Sequence, residues 1–394
     1  MDSKYSSIFT HNYNNFTKKH LSSTADKYGL LKKEALESHI WVYELYSHIQ
    51  KRSSYECVLK GGACAQLYLP IDSQRCTADI DIATSLTPHQ LDELLHSIRY
   101  EFNMKKFYTS YSEYVPEMVK LHGKTIPMMT YMFNIPFIFK GGKRKKYPSL
   151  KIDFLFADVD RLDKTIVSKG ETLGLKLNYS PVCTSPYSLI CDKLLTFAKS
   201  PIGLEGYKIE GFYKNVYDLF YLLDSYNDID NFKKISSYLS KSASMEFQLR
   251  AMAPLSMDDL LEDILFNLYN FAIADIENSY ENLHHRIIKF QDSFLQEHMR
   301  KELNFNTWSI MTMYLYIWTN SLKNYLDNKD FSGLTLINEI ISQYEEYLLL
   351  DNAQKRNYLL SYRNDIYRRD SSLNLKSLDN PLRLIYLYNI ILKL

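Results

Sequence analysis

Nothing in this 394-residue chain runs apolar for the roughly 20 residues that a helix needs to cross a bilayer. Its start, Met1-Asp2-Ser3-Lys4-Tyr5, has no signal-peptide core. Both lacks predict a cytoplasmic protein with no membrane partner. The five cysteines (Cys57, Cys64, Cys76, Cys183, Cys191) include no C-x-x-C pair and sit among apolar residues, so zinc ribbons and disulfide scaffolds are excluded in favour of buried thiols in a reducing compartment. Charge of one sign is also lacking: 47 Lys and Arg face 46 Asp and Glu, and a net +1 gives the whole molecule no strong field. There is no H-E-x-x-H, no G-x-S-x-G, no Walker-type lysine and no repeat near 34 residues. His284 and His285 are adjacent, diverge on a helix and have no third ligand at useful spacing.

What is present is ordinary globular composition, 46% hydrophobic and 24% charged, long enough for two or three domains. Tyr (33) and Phe (20) are plentiful; a compositional bias towards Tyr, Asn, Lys and Ile accounts for them without a stacking platform. The charge is uneven along the chain. Residues 1–235 hold 31 basic and 26 acidic side chains, against 16 and 20 in residues 236–394, so the first part suits a phosphate-rich substrate.

The informative segment lies in that first part. Tyr55 to Leu59 reads as an apolar strand, Gly61-Gly62 as a turn and Ala63 to Leu69 as a short helix; Arg75-Cys76-Thr77-Ala78-Asp79-Ile80-Asp81-Ile82 leads into a second strand. Side chains alternate along a strand, so Asp79 and Asp81 share a face while Ile80 and Ile82 enter a core. Two carboxylates so placed repel unless a cation lies between them, and hard oxygen ligands suit Mg²⁺ (or Mn²⁺). Glycines ahead of a helix expose backbone N–H groups to an anion. Taken singly, a D-x-D is compatible with a solvated pair and a Gly-Gly with a plain turn. Their strand–turn–helix–strand order predicts a metal clamp beside a phosphate cradle.

A third carboxylate comes from Lys151-Ile152-Asp153-Phe154-Leu155-Phe156, an alternating strand that sets Asp153 opposite Ile152 and Phe154. In a central strand such an Asp is costly to desolvate unless paired or metal-bound; on an edge strand it would simply be hydrated.

These residues resemble the AbiEii-like toxin nucleotidyltransferases of the DNA polymerase β-type superfamily. That family carries a pattern close to Leu-Lys-Gly-Gly-Thr-Ala-Leu, then Arg-x-Ser-x-Asp-x-Asp. The chain offers Leu59-Lys60-Gly61-Gly62-Ala63, then Arg75-x-Thr77-x-Asp79-x-Asp81. A later helical Lys of the family is matched by Lys193, and its basic-Asp-x-Tyr-Asp-Leu segment by Lys214-Asn215-Val216-Tyr217-Asp218-Leu219. The likeness covers roughly residues 35 to 225. Two positions depart from the pattern: Ala63 stands where a hydroxyl residue is usual, and Asn215 where the last motif has Asp.

The resemblance implies an α+β fold with a mixed-sheet nucleotidyltransferase core flanked by helices over residues 1–235; beyond it, long amphipathic stretches with short polar breaks predict an α-helical bundle domain over 236–394. The resemblance implies transfer of a nucleoside monophosphate from an NTP to a hydroxyl, with Asp79 and Asp81 as catalytic metal ligands; Asp153, read from its own strand, is expected to complete the catalytic metal set. Lys60, Gly61, Gly62, Lys193, Lys214 and Asp218 are the expected nucleotide-binding set. The acceptor would be a tRNA 3′ end, another RNA or a protein hydroxyl. The setting would be a bacterial toxin–antitoxin or phage-defence pair with a cognate antitoxin. Ala63 and Asn215 favour the alternative, a non-catalytic nucleotide- or RNA-binding protein with a decayed site; the intact Asp79/Asp81 pair opposes it. A third reading makes the C-terminal bundle a protein-interaction module.

Elsewhere the periodicity predicts a helix over Ala35 to Gln50 and another from Pro88 to about Asn103. Residues 105–118 and 126–140 read as strands joined through Gly123 that extend the sheet. The turn Gly141-Gly142-Lys143-Arg144-Lys145-Lys146 is either a solvated hairpin tip or a contact for a phosphate backbone. From Ser185, an N-cap before Pro186, the pattern is helical, and Lys193 falls beside an apolar stripe. Lys214 and Asp218, four apart, share a helix face. Ser256 with Asp259 marks a further start, and amphipathic stretches follow near 279–299, 306–326, 333–349, 351–367 and 380–393.

Overall fold

The computed structural model describes residues 7–115, 126–139, 149–168, 170–198, 202, 209–274, 283–375 and 378–394. The basic segment Lys143 to Lys146 and the Gly123 turn lie outside the described residues. The chain divides into two compact units. The first comprises Met1–Ile190, Ser244–Ala253 and Phe290–Arg300; the second comprises Cys191–Ala243, Pro254–Lys289 and Lys301–Leu394. The boundary expected near 235 falls inside the second unit's first segment.

The first unit is built on a seven-stranded mixed sheet in the order β3-β4-β5-β2-β1-β9-β6. Its strands are β1 (Cys57–Lys60), β2 (Asp79–Thr84), β3 (Ser110–Tyr114), β4 (Met128–Asn134), β5 (Ser149–Phe156), β6 (Lys164–Ile166) and β9 (Val182–Thr184). A small separate ladder pairs β7 (Glu171–Thr172) with β8 (Leu175–Lys176). β1 runs antiparallel to β2, and β2 parallel to β5. The expected extra strands are β3 and β4, an antiparallel pair added beyond β5. Val58, Ile80, Ile82, Ile152 and Phe154 are fully or almost fully buried, as their alternation with Asp79, Asp81 and Asp153 requires.

Four helices belong to this part of the chain: α1 (Lys18–Tyr28), α2 (Lys33–Ser53), α3 (Gly61–Gln66) and α4 (Pro88–Met104). α4 starts with Pro88 in its first turn, as its sequence predicts, and the structure adds a Thr87–Gln90 capping box. α2 packs against β1, β2 and β5. Its apolar stripe is not the whole account, because Glu37, His39, Glu44 and His48 are buried too. Each has partners: Glu37 accepts the N–H groups of Ile138 and Phe139 at 2.6 and 2.7 Å, and Glu44 accepts from Thr10, His11 and His48. The short segment at Gly61 differs from expectation. Strand β1 runs on through Lys60, and the two glycines are the first turn of α3, not a turn ahead of it.

The helix α5 (Pro186–Leu195) begins with Ser185 Oγ accepting from Ser188 N, as its sequence predicts. The remaining helices are α6 (Ile209–Ser225), α7 (Ile229–Leu249), α8 (Met257–Ala272), α9 (Leu283–Phe294), α10 (Glu297–Glu302), α11 (Phe305–Asn328), α12 (Ser332–Leu349), α13 (Asn352–Arg369) and α14 (Pro381–Lys393). The stretch expected as one helix near 279–299 is interrupted between α9 and α10. In the second unit α11 packs against α8, α12 and α14 around Met313, Ile317, Ile340, Ile385 and Leu387. Arg383 is buried there because Ser309 Oγ, Ala272 O and Asn306 Oδ1 take up its guanidinium at 2.7 to 3.2 Å.

Candidate active site

The sheet brings the sequence motifs together by register. Lys60 on β1 stands opposite Asp81 on β2, Asp81 stands beside Asp153 on β5, and Asp153 stands opposite Thr130 on β4. One row across four strands therefore reads Lys60, Asp81, Asp153, Thr130. One step along, Asp79 is paired with Lys151. Because residues i and i+2 share a face, Asp79 and Lys151 join the same surface.

The glycine at position 61 has a specific reason. Its φ is +64°, and a Cβ there would come within 2.7 Å of Asp81 Cγ and 3.0 Å of Asp81 Cβ. Only a residue with no side chain adopts that backbone conformation cheaply and leaves room for the carboxylate. Gly62 is next to Arg75 and Thr77, where an added Cβ would meet Arg75 Nη2 at 3.0 Å. Arg75 and Thr77 are themselves buried. The Arg75 guanidinium donates to Cys76 O at 2.9 Å, and its backbone N–H donates to Gln66 Oε1 at 2.7 Å. Thr77 N–H donates to His39 Nδ1 at 3.2 Å, which puts the imidazole proton on Nε2, facing Thr172 Oγ1 at 2.9 Å. Burial and the nearby Arg75 charge hold His39 down at about 3. The helix α3 is anchored from the same side, with Tyr43 Oη donating to Ala63 O at 2.9 Å. The residues flanking the Asp pair thus fix the glycine turn from behind.

Asp153 is held at both oxygens. Thr130 Oγ1 donates to Oδ1 at 2.6 Å, and the Lys151 ammonium is paired with Oδ2. Burial pushes the Lys151 pKa down, but the ion pair with Asp153 and the charges of Asp79 and Asp81 outweigh it, so the ammonium is held above its ordinary value. Sequence reasoning passed over both partners. Lys151 was available to it, since a residue two before Asp153 on an alternating strand must share its face. Thr130 was not, because a β4–β5 register cannot be read from spacing.

The donor chemistry fits a hard divalent cation: two carboxylates lie on one face of β2 and a third is beside Asp81 on the next strand. Among the described residues no three His, Cys, Asp or Glu side chains converge closely enough to hold a metal ion, and the cation that Asp153 meets is Lys151.

The other predicted residues form a second cluster within the second unit. Lys193, 5% exposed, donates to the fully buried Asp218 Oδ2 at 2.7 Å. Asn215 Oδ1 lies 3.5 Å from the same ammonium, and Asn215 Nδ2 donates to Thr196 Oγ1 at 3.0 Å. Asp218 on α6 is thus engaged from α5, and Lys214 is half-buried on the same helix. Lys193 and Asp218, expected to bind the nucleotide, are here paired with each other, with amide and hydroxyl groups alongside.

Comparison with curated proteins found no match. Among solved structures, a candidate nucleotidyltransferase from H. pylori is 11% identical, with 75% of this chain and 98% of that chain covered at a TM-score of 0.40. JHP933 from Helicobacter pylori is 13% identical, with coverages of 77% and 98% and a TM-score of 0.38. An antigenic nucleotidyltransferase-like protein from Paracoccidioides brasiliensis is 11% identical, with coverages of 54% and 92% and a TM-score of 0.29. Likeness at that level carries no argument about chemistry. The family model for the nucleotidyl transferase AbiEii toxin of type IV toxin–antitoxin systems matches residues 45–300, well over half of the chain, a span that takes in every strand of the sheet and the Lys193 and Asp218 helices. The chain belongs to the AbiEii nucleotidyltransferase toxin family.

Proposed function

We propose that this nucleotidyltransferase moves a nucleoside monophosphate from an NTP to a hydroxyl acceptor and depends on Mg²⁺ or Mn²⁺ held by Asp79, Asp81 and Asp153. The observation that carries the reading is the register of β2 on β5, which sets Asp81 directly beside Asp153 with Asp79 on the same face. Divalent cations there would supply charge neutralisation for the triphosphate and for the oxygens that enter and leave at the α-phosphorus.

The chain's own residues have separable tasks. Gly61 keeps the α3 turn against Asp81 and leaves the first N–H groups of α3 uncovered for phosphate oxygens. Lys60, opposite Asp81, offsets charge on the phosphates. Asp153, steadied by Thr130, faces the acceptor hydroxyl and favours loss of its proton. Release of pyrophosphate completes the exchange of one P–O bond for another. The family places this chemistry in a toxin, which implies a cognate antitoxin. We assign the acceptor to the hydroxyls of a tRNA 3′ end or of a protein side chain, either of which the site accommodates chemically.

Asp81→Asn tests the reading, since it keeps the shape and removes the charge. Wild-type protein should incorporate labelled NTP into bulk RNA or protein only with Mg²⁺ or Mn²⁺, and the variant should incorporate none. NTP with Mg²⁺ at a hundred times its Kd should stabilise the wild type by roughly 2.7 kcal/mol. Equal incorporation by wild type and variant, or none by either with any of the four NTPs, refutes it.

A further inference from the structure

The carboxylate face carries its own cation. Lys151 Nζ is paired with Asp153 Oδ2, its residue stands beside Asp79 in the β2–β5 register, and its side chain is about one-third exposed. Thr130 takes the other oxygen of Asp153. The Asp153 side chain is 13% exposed, so little water reaches it to compensate the charge. Three carboxylates on one face repel one another, and the Lys151 ammonium relieves part of that repulsion at the cost of occupying an oxygen of Asp153. A lysine tethered two residues away on the same strand is always present at high local concentration, so an incoming divalent ion competes with it and also meets its charge.

We infer that Lys151 is a positioning residue that serves as the resident counter-ion of the site, holding Asp153 in place until a divalent cation displaces its ammonium. The inference rests on the metal-dependent reading above and deepens it: metal entry is an exchange of one cation for another. The exchange makes loading weaker than three carboxylates alone would give, and it links loading to release of the Lys151 side chain.

The experiment uses the full chain and Mn²⁺ alone, with no nucleotide and no turnover. Binding is followed by titration calorimetry, and melting is recorded in EDTA and in saturating Mn²⁺ for wild type, Lys151→Met, Lys151→Gln and Lys151→Arg. Removing the charge should tighten Mn²⁺ binding by on the order of tenfold or more, because a neighbouring positive charge and a competing ligand are both lost. Lys151→Met and Lys151→Gln should melt below wild type in EDTA, and the gap should close in Mn²⁺. Lys151→Arg should stay within about threefold of wild-type affinity. A residue with only a packing role would lower melting equally with and without metal and would not tighten binding. Unchanged or weaker Mn²⁺ binding by both neutral variants, with wild type still binding, overturns the role of Lys151 alone. No Mn²⁺ binding by any of the four proteins overturns both this role and the metal-dependent reading.

Discussion

Gly61→Ala separates the backbone demand at this turn from the demand of the carboxylate beside it. Position 61 has φ +64°, where an L side chain costs about 1–2 kcal/mol. The added methyl would lie 2.7 Å from Asp81 Cγ and 3.0 Å from its Cβ, so the whole Asp81 side chain must turn away and not merely its tip. Forcing that side chain from its rotamer adds about 0.5–1.5 kcal/mol. The two contributions predict a loss of about 1.5–3.5 kcal/mol in urea unfolding. They separate in a double-mutant cycle with Asp81→Gly, which leaves only the backbone cost and a coupling of about 0.5–1.5 kcal/mol. Because Asp81 is the displaced group, Gly61→Ala should also weaken Mn²⁺ binding even where the protein is fully folded. An equal penalty in both backgrounds would show that Asp81 does not contact the turn. No penalty in either would show that residue 61 is not left-handed.

Lys193→Ala should destabilise by about 3–5 kcal/mol, because it leaves Asp218 buried without its partner; Lys193→Met with Asp218→Leu should recover most of that loss in urea unfolding, and a Lys193→Ala protein as stable as wild type would contradict a structural pair. Stability should also depend on pH through His39, whose folded pKa of about 3 lies below its ordinary 6.5. A depressed folded pKa means stability present above pH 6.5 and lost as pH falls towards 3, at about 1.4 kcal/mol per pH unit. Glu37, raised by burial to about 7, acts in the opposite sense between about pH 4.5 and 7, so the share of His39 is the difference between wild type and His39→Gln. Identical slopes for the two proteins below pH 6.5 would refute it. For Glu44, burial alone would raise the pKa, but hydrogen bonds from His11 and His48 hold it at about 2; its stabilisation is therefore lost only below about pH 4.5, and Glu44→Gln should remove that acid limb of the urea-unfolding profile.

The sequence by itself determined what alternation and short-range chemistry can specify. Asp79 and Asp81 had to share a face because a strand repeats every two residues; Pro88 suits a first helical turn, where no N–H is needed, and the Ser185 hydroxyl caps the helix that Pro186 opens. The same two-residue period placed Lys151 beside Asp153. Tertiary structure alone decided the rest. Which strands become neighbours depends on loop closure and core packing across separations of 72 residues for Asp81 and Asp153 and 23 for Thr130 and Asp153, so neither contact is present in any local pattern. Burial of Lys193 on Asp218, of Arg383 on Ser309 and of Glu44 on His11 likewise reflects long-range compensation, whereas the His48 bond to Glu44 is made within one helix. A charged residue gives the same local signal whether it is hydrated or paired inside a core, and only the fold supplies the partner that makes burial affordable.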